Sequence, residues 1–155
     1  MYIRKAEKKD IPQIETLLYQ VAKVHSDGRP DLFQTGTKKY TSEELNELLE
    51  DHTRPIYVAE EEGKILGYAF SIFQENHSNL LTHIKTLYID DLCVLESIRG
   101  KGVGTKLYQH VLEIAKQSGC YNVTLNVWAC NEEAKAFYEK CGLHVQKIGM
   151  EKILP

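Results

Sequence analysis

Val94-Leu95-Glu96-Ser97-Ile98-Arg99-Gly100-Lys101-Gly102-Val103-Gly104-Thr105 is the stretch on which the fold turns. An apolar run ends, a short connection follows, and three glycines at alternate positions open a helix. Glycine lets backbone N–H groups approach a ligand closely, and a helix start carries partial positive charge, so such a turn suits a pyrophosphate. Arg99 and Lys101 add formal charge beside it. Two nucleotide motifs fail by counting. A phosphate-binding P-loop ending at Lys106 needs Gly at 105 and Ser or Thr at 107, where the chain has Thr105 and Leu107. A dinucleotide fingerprint starting at Gly100 meets Gly102 but finds Thr105 where its third glycine belongs. Taken alone, the turn also reads as a helix opening with basic, solubilising neighbours.

The flanks extend the pattern in both directions. Before the turn, Thr86 to Val94 is apolar on both alternating faces apart from Asp90 and Asp91, as in a central strand covered on both sides. After it, Val103, Leu107, Val111 and Ile114 form the stripe of a helix from Gly102 to about Ser118, stopped by Gly119. Upstream, Tyr2 to Ala6 is a short strand, and Asp10-Ile11-Pro12 caps a helix with apolar Ile11, Ile14, Leu17, Leu18, Val21 and Ala22, fading near His25. Thr41-Ser42-Glu43-Glu44 starts a second helix. Ile56–Ala59 and Ile65–Phe73 flank a hairpin loop at Glu61-Glu62-Gly63-Lys64. Downstream lie a strand from Tyr121 to Trp128, a short helix from Asn131 to Lys140 stopped by Gly142, and one or two strands within Leu143–Leu154. The fold class is α/β: a single central sheet flanked by about four helices.

The 155 residues suit one domain, since domains commonly run to about 100–200 residues. Hydrophobic content of 43% and charged content of 26% are those of a globular chain, which excludes a disordered, collagenous or mucin-like protein. Net charge −3 argues against a nucleic-acid binder driven by bulk electrostatics. No apolar run approaches the ~20 residues a bilayer span needs, and the N-terminus lacks a signal-peptide core. Cys93, Cys120, Cys130 and Cys141 have no Cys-x-x-Cys spacing and read as reduced thiols of a cytoplasmic protein.

Arg99-Gly100-Lys101-Gly102-Val103-Gly104 resembles the (Arg/Gln)-x-x-Gly-x-(Gly/Ala) signature of the GNAT superfamily of acyl-CoA-dependent N-acyltransferases. Three further stretches agree in order. Ile3-Arg4-Lys5-Ala6 with Asp10-Ile11 resembles the family's first strand and helix, and Asp90-Asp91-Leu92-Cys93-Val94 its fourth strand. Asn131 to Leu143, with Ala134, Phe137-Tyr138 and Gly142, resembles its late helix. The likeness covers nearly the whole chain and implies that the central sheet is mixed and splayed, and that residues 1–155 are one N-acetyltransferase domain that moves acetyl from acetyl-CoA, its co-substrate, to a primary amine.

By resemblance, Arg99, Gly100, Lys101, Gly102, Val103, Gly104 and Thr105 hold the coenzyme pyrophosphate. Leu92, Cys93 and Val94 pair through their main chain with the pantetheine arm, and the Val94 N–H faces the thioester oxygen. Asn131, Ala134 and Phe137 complete the cofactor side, although Asn131 is equally an ordinary helix cap. Tyr138 is the family's general acid; a phenol near pKa 10 stays protonated at neutral pH and can donate to the leaving thiolate.

The acceptor needs a base. A lysine-like amine is free base only about once in 2,500 at pH 7, a cost of roughly 4.6 kcal/mol. Asp90 and Asp91 are the candidates. Strand neighbours point to opposite faces, so only one faces the cleft unless a bulge intervenes. Asp90, which aligns with the glutamate that polyamine acetyltransferases use through water, is expected to remove the proton, and Asp91 to position. The alternative is that both acids cap the strand or bind Lys85. The 24–33 loop, with His25, Asp27 and Asp31, borders the acceptor cleft in this family, and each residue also has a plain loop reading. Trp128 either lines that cleft or packs. His77, His83 and His110 show no ligand spacing, so no metal is expected. Cysteine nucleophiles are not expected either, because the family transfers directly. A small amine or polyamine is the first acceptor expected, then a peptide N-terminus, then an aminoglycoside. Neither nucleic acid nor membrane is an expected partner, while a homodimer is. A non-catalytic acyl-CoA sensor is the alternative function.

Overall fold

The computed structural model describes residues 1–155. Five strands, β1 (Tyr2–Lys5), β2 (Ile56–Glu61), β3 (Lys64–Glu75), β4 (Lys85–Val94) and β5 (Asn122–Leu125), form one sheet in the order β1-β2-β3-β4-β5. Neighbours are antiparallel except β4 and β5, which are parallel. The helices are α1 (Ile11–Gly28), α2 (Ser42–Leu49), α3 (Val103–Gln117) and α4 (Glu132–Lys140).

The two sheet faces are buried separately. Ile14, Leu17 and Leu18 of α1 and Leu45 of α2 pack with Val58, Tyr68 and Phe70 on one face. Val103, Leu107, Val111 and Ala115 of α3 pack with Ala59, Ala69, Leu87 and Ile89 on the other. Covering both faces explains why β2, β3 and β4 read as nearly continuous apolar runs.

Local signals hold with adjustments. The Thr41 cap is a full capping box: the Glu44 N–H donates to its hydroxyl at 3.1 Å, and its own N–H donates to Glu44. Asp10 precedes α1 as expected, but its carboxylate does not cap the helix. It accepts instead from both terminal nitrogens of Arg4, at 2.7 and 2.9 Å, and from the Glu7 N–H. α1 runs three residues past His25, to Gly28. β5 stops at Leu125, short of the expected Trp128.

The expected strands within Leu143–Leu154 do not form; the segment has no regular structure. A strand exists only by pairing, and this tail lies beside no other strand. Its Glu151 carboxylate meets Arg29 at the end of α1.

Candidate active site

β4 positions the site because its two edges differ. On one side it pairs with β3 along its whole length, Lys85↔Glu75 to Val94↔Gly67. On the other it pairs with β5 only from Thr86 to Ile89. From Asp90 onward the two parallel strands part, leaving a five-residue edge without a strand partner. The Leu95 N–H turns back to Leu66 O, so by the alternation of a strand the Val94 N–H points to the open side. An open edge is a row of main-chain groups that must be satisfied from outside.

A bulge opens the same place. Phe70 faces Asp91 while Ser71 faces Ile89, so Asp90 is an extra residue in β4. That overrides the alternation and brings both carboxylates to one side. Tyr40 stacks on Phe70 and donates to Asp90 at 2.6 Å. Tyr68, edge-on to Phe70, donates to Asp91 at 2.6 Å. Lys39 also reaches Asp90, at 2.8 Å. Lys85, the alternative partner, instead donates to Ser118 O and lies over the Phe73 ring.

The surroundings of Asp91 change its chemistry. Burial pushes its pKa up to about 6, against the Tyr68 hydrogen bond and the Lys39 charge, which pull it down. Burial likewise raises the Tyr138 phenol, with Asp91, Cys141 and Cys93 adding to the shift. The charge of Asp91 thus reaches the phenol. Cys93 is turned away under α1, where Gln20 Nε2 donates to its sulfur at 3.4 Å, and burial pushes its thiol up to about 12. A thiol held protonated is a poor nucleophile.

The glycine turn sits beside the open edge. Gly100 and Gly102 have φ of +84° and +80°, values at which other residues are strained. Gly104 is there for closeness: a Cβ would come within 3.2 Å of the Phe137 ring and 3.4 Å of Val94. No side chain caps α3, so the Val103, Gly104 and Thr105 amides lack both intrahelical and side-chain acceptors. Arg99 leans on Glu133 of α4, and Lys101 is exposed. Of the late residues, the Asn131 side-chain oxygen accepts from the Ala134 N–H and is a helix cap, while Phe137 stands edge-on to Tyr138.

The 24–33 loop comes together with the chain just beyond β5. His25 stacks on Phe33, and Phe33 meets Trp128 edge-on at 5.1 Å. Burial, then the Lys39 charge, lowers the His25 pKa. Asp27 and Asp31 are taken up by Lys23 and Arg29.

Sequence reasoning missed Lys39, Tyr40, Tyr68 and Gln20. The Gln20 amide donates to Val94 O and accepts from the Glu96 N–H, clamping the end of β4. No spacing rule connects these residues to β4. The register of Tyr68 opposite Cys93 is the one cue that a hairpin alignment would have supplied.

A parallel pair that parts beside an uncapped, glycine-opened helix, with carboxylates and a phenol at the mouth, is the architecture of an acyl-CoA-dependent N-acetyltransferase. The chain belongs to the acetyltransferase (GNAT) family, whose family model matches residues 18–143. It is 33% identical over 110 residues to a glucosamine 6-phosphate N-acetyltransferase of Arabidopsis thaliana, covering 71% of this chain and 70% of the relative. The crystal structure of the Arabidopsis enzyme superposes with TM-score 0.72 at 30% identity, over 99% of this chain and 98% of that one. A mutant of the BH1408 protein from Bacillus halodurans superposes with TM-score 0.96 at 29% identity over 100% of both chains. An N-alpha-acetyltransferase of Sulfolobus acidocaldarius is 35% identical over 109 residues, covering 66% of this chain and 63% of the relative. Acetyl-CoA is the co-substrate of this family. No helix is long and apolar enough to cross a membrane.

Proposed function

We propose that this acetyltransferase passes acetyl directly from acetyl-CoA to a small primary amine, with Asp91 taking the acceptor's proton and Tyr138 serving the leaving thiolate. The single observation that carries the reading is the bulge at Asp90, which sets two carboxylates on one side of β4 where its edge opens. Asp90, expected as the base, is occupied by Lys39 and Tyr40; Asp91 has one phenol donor and a pKa near operating pH, which suits a general base. Asp90 then positions the amine.

Main-chain groups of Leu92, Cys93 and Val94 hold the pantetheine arm, and the Val94 N–H faces the oxygen on which charge develops. Amides from Gly100 to Thr105 take the pyrophosphate, flanked by Arg99 and Lys101, with Asn131, Ala134 and Phe137 beyond. The raised phenol of Tyr138 stays protonated and donates a hydrogen bond before it gives up its proton. Acceptor chemistry is bounded by the His25–Phe33–Trp128 wall. The acceptors we infer are a small amine, a polyamine or an amino sugar, the last because of the Arabidopsis relative's activity. We take residues 1–155 as one domain, working in the cytoplasm as a homodimer. All four cysteines are free, in keeping with a reducing compartment.

The test pairs acetyl-CoA calorimetry with thiol release over a panel containing spermidine, glucosamine 6-phosphate, an aminoglycoside and a peptide N-terminus. Binding with turnover of at least one amine is expected. Binding without thiol release on any amine would make the chain a sensor, and absence of binding would remove the donor site altogether.

A further inference from the structure

Lys39 is a primary amine already seated on a candidate catalytic carboxylate. It lies in the connection from 29 to 41 that carries neither helix nor strand, two residues before the Thr41 cap. Its Nζ donates to Asp90 Oδ1 at 2.8 Å and stands 5.6 Å from the centre of the Tyr40 ring. Its charge reaches both the Asp91 carboxyl and the His25 ring. The ammonium therefore sits on Asp90, the residue at which the unpaired edge of β4 begins, near enough for its charge to act on Asp91 and His25. Other lysines are placed differently: Lys38 pairs with Glu15, Lys23 with Asp27 and Lys135 with Glu139. The Lys39 side chain is 48% exposed, so its four-carbon stem is free to swing within the cleft.

We propose that Lys39 is an internal acceptor: with acetyl-CoA bound and no competing amine in the cleft, the chain acetylates its own Lys39 Nζ. The proposal rests on the acetyl-transfer reading above and adds to it a modification site. The ammonium gives one proton to a carboxylate or water, and its lone pair attacks the thioester carbonyl carbon. An amide N–C bond forms as the C–S bond breaks, and the second proton lost by the nitrogen goes to the departing thiolate, giving the free thiol of coenzyme A. Nothing beyond acetyl-CoA is consumed. Tethering gives this amine a high effective concentration at the site. The step happens once per chain, because acetylation removes the charge that pairs with Asp90 and leaves that carboxylate to an external amine.

Full-length protein incubated with acetyl-CoA alone, followed by intact mass, peptide mapping and thiol detection, tests this. One acetyl per chain is expected, on Lys39, with one thiol released per acetyl. Its rate should exceed that at exposed Lys64 and Lys152 by about tenfold or more, and Lys39→Arg should abolish this single fast acetylation and its thiol release. Labelling spread evenly over surface lysines, or Lys39 labelled no faster in the folded than in the urea-unfolded chain, overturns the proposal. Calorimetric binding of acetyl-CoA without label on Lys39 overturns it while leaving the donor site standing; no binding overturns both.

Discussion

Asp91 is a residue the fold stabilises better neutral than charged, and that has a measurable sign. Its carboxyl has a folded pKa of about 6 against an ordinary value of 3.8, so the folded state holds the proton more tightly. Its contribution to stability is present below pH ~4 and is lost as pH rises from there through about 6. Asp91→Asn keeps the shape without the charge. It should raise stability by about 1–2 kcal/mol at pH 7, after allowance for residual solvent and the weaker bond Tyr68 makes to a neutral oxygen, and by about nothing at pH 4, where both side chains are neutral in the folded state. Chemical denaturation at the two pH values reads this directly. The same variant should lose about 10²–10⁴-fold in kcat/KM, the usual worth of a positioned base. In the unmodified protein kcat/KM should rise along a limb near pH 6. Tyr68→Phe removes the side-chain hydrogen-bond donor to Asp91 and should move that limb upward by roughly one pH unit. A limb unmoved in Tyr68→Phe and still present in Asp91→Asn would assign the base elsewhere.

At the scale of elements, the start of α3 and the end of β4 act as one unit, because Gly104 lets Phe137 and Val94 close on it. Gly104→Val would push α4 from α3 and displace Tyr138 along with Phe137. KM for acetyl-CoA and kcat should both suffer in steady-state kinetics. Gly102→Ala tests the other device. A methyl meets nothing there, but φ of +80° costs about 1–2 kcal/mol, so Tm should fall with the α3 packing unchanged. These glycines were legible because their spacing, their flanking cations and the helix stripe are all local. The bulge at Asp90 was not, because it is a relation between β3 and β4, and the sequence of β4 alone offers only strict alternation. Asp10 makes the same point: Asp before Ile-Pro reads as a cap, whereas Arg4 and Glu60 on two separate strands decide where its carboxylate goes. Removing that carboxylate with Asp10→Ala leaves Arg4 its Glu60 partner and should cost about 2–3 kcal/mol, more than the ~1 kcal/mol of a lost cap, and urea unfolding distinguishes the two.

Over the whole molecule, strand pairing stops at β5, and the tail beyond α4 carries no strand. Leu143–Leu154 reads as one or two strands in the sequence, yet its apolar Val145, Ile148, Met150, Ile153 and Leu154 stand 60–93% exposed. β5 meanwhile pairs with β4 on one side and with nothing on the other, between exposed Tyr121 and Trp128. A strand-forming segment without an edge and an edge without a strand, in the same chain, are complementary, and open edges invite pairing. Two copies that exchange tails would satisfy both through an isologous interface, and would also wall the cleft beside Trp128, three residues beyond the end of β5. Light scattering should then give twice 17.8 kDa. Ile148→Lys with Met150→Lys should give single chains of unchanged helix content, since neither side chain touches its own core. A photo-crosslinking residue at position 148 distinguishes the routes. Covalent dimers attached within residues 121–128 require exchange; adducts to the same residues inside one chain would mean that each tail closes its own sheet and that the pair, if any, forms elsewhere.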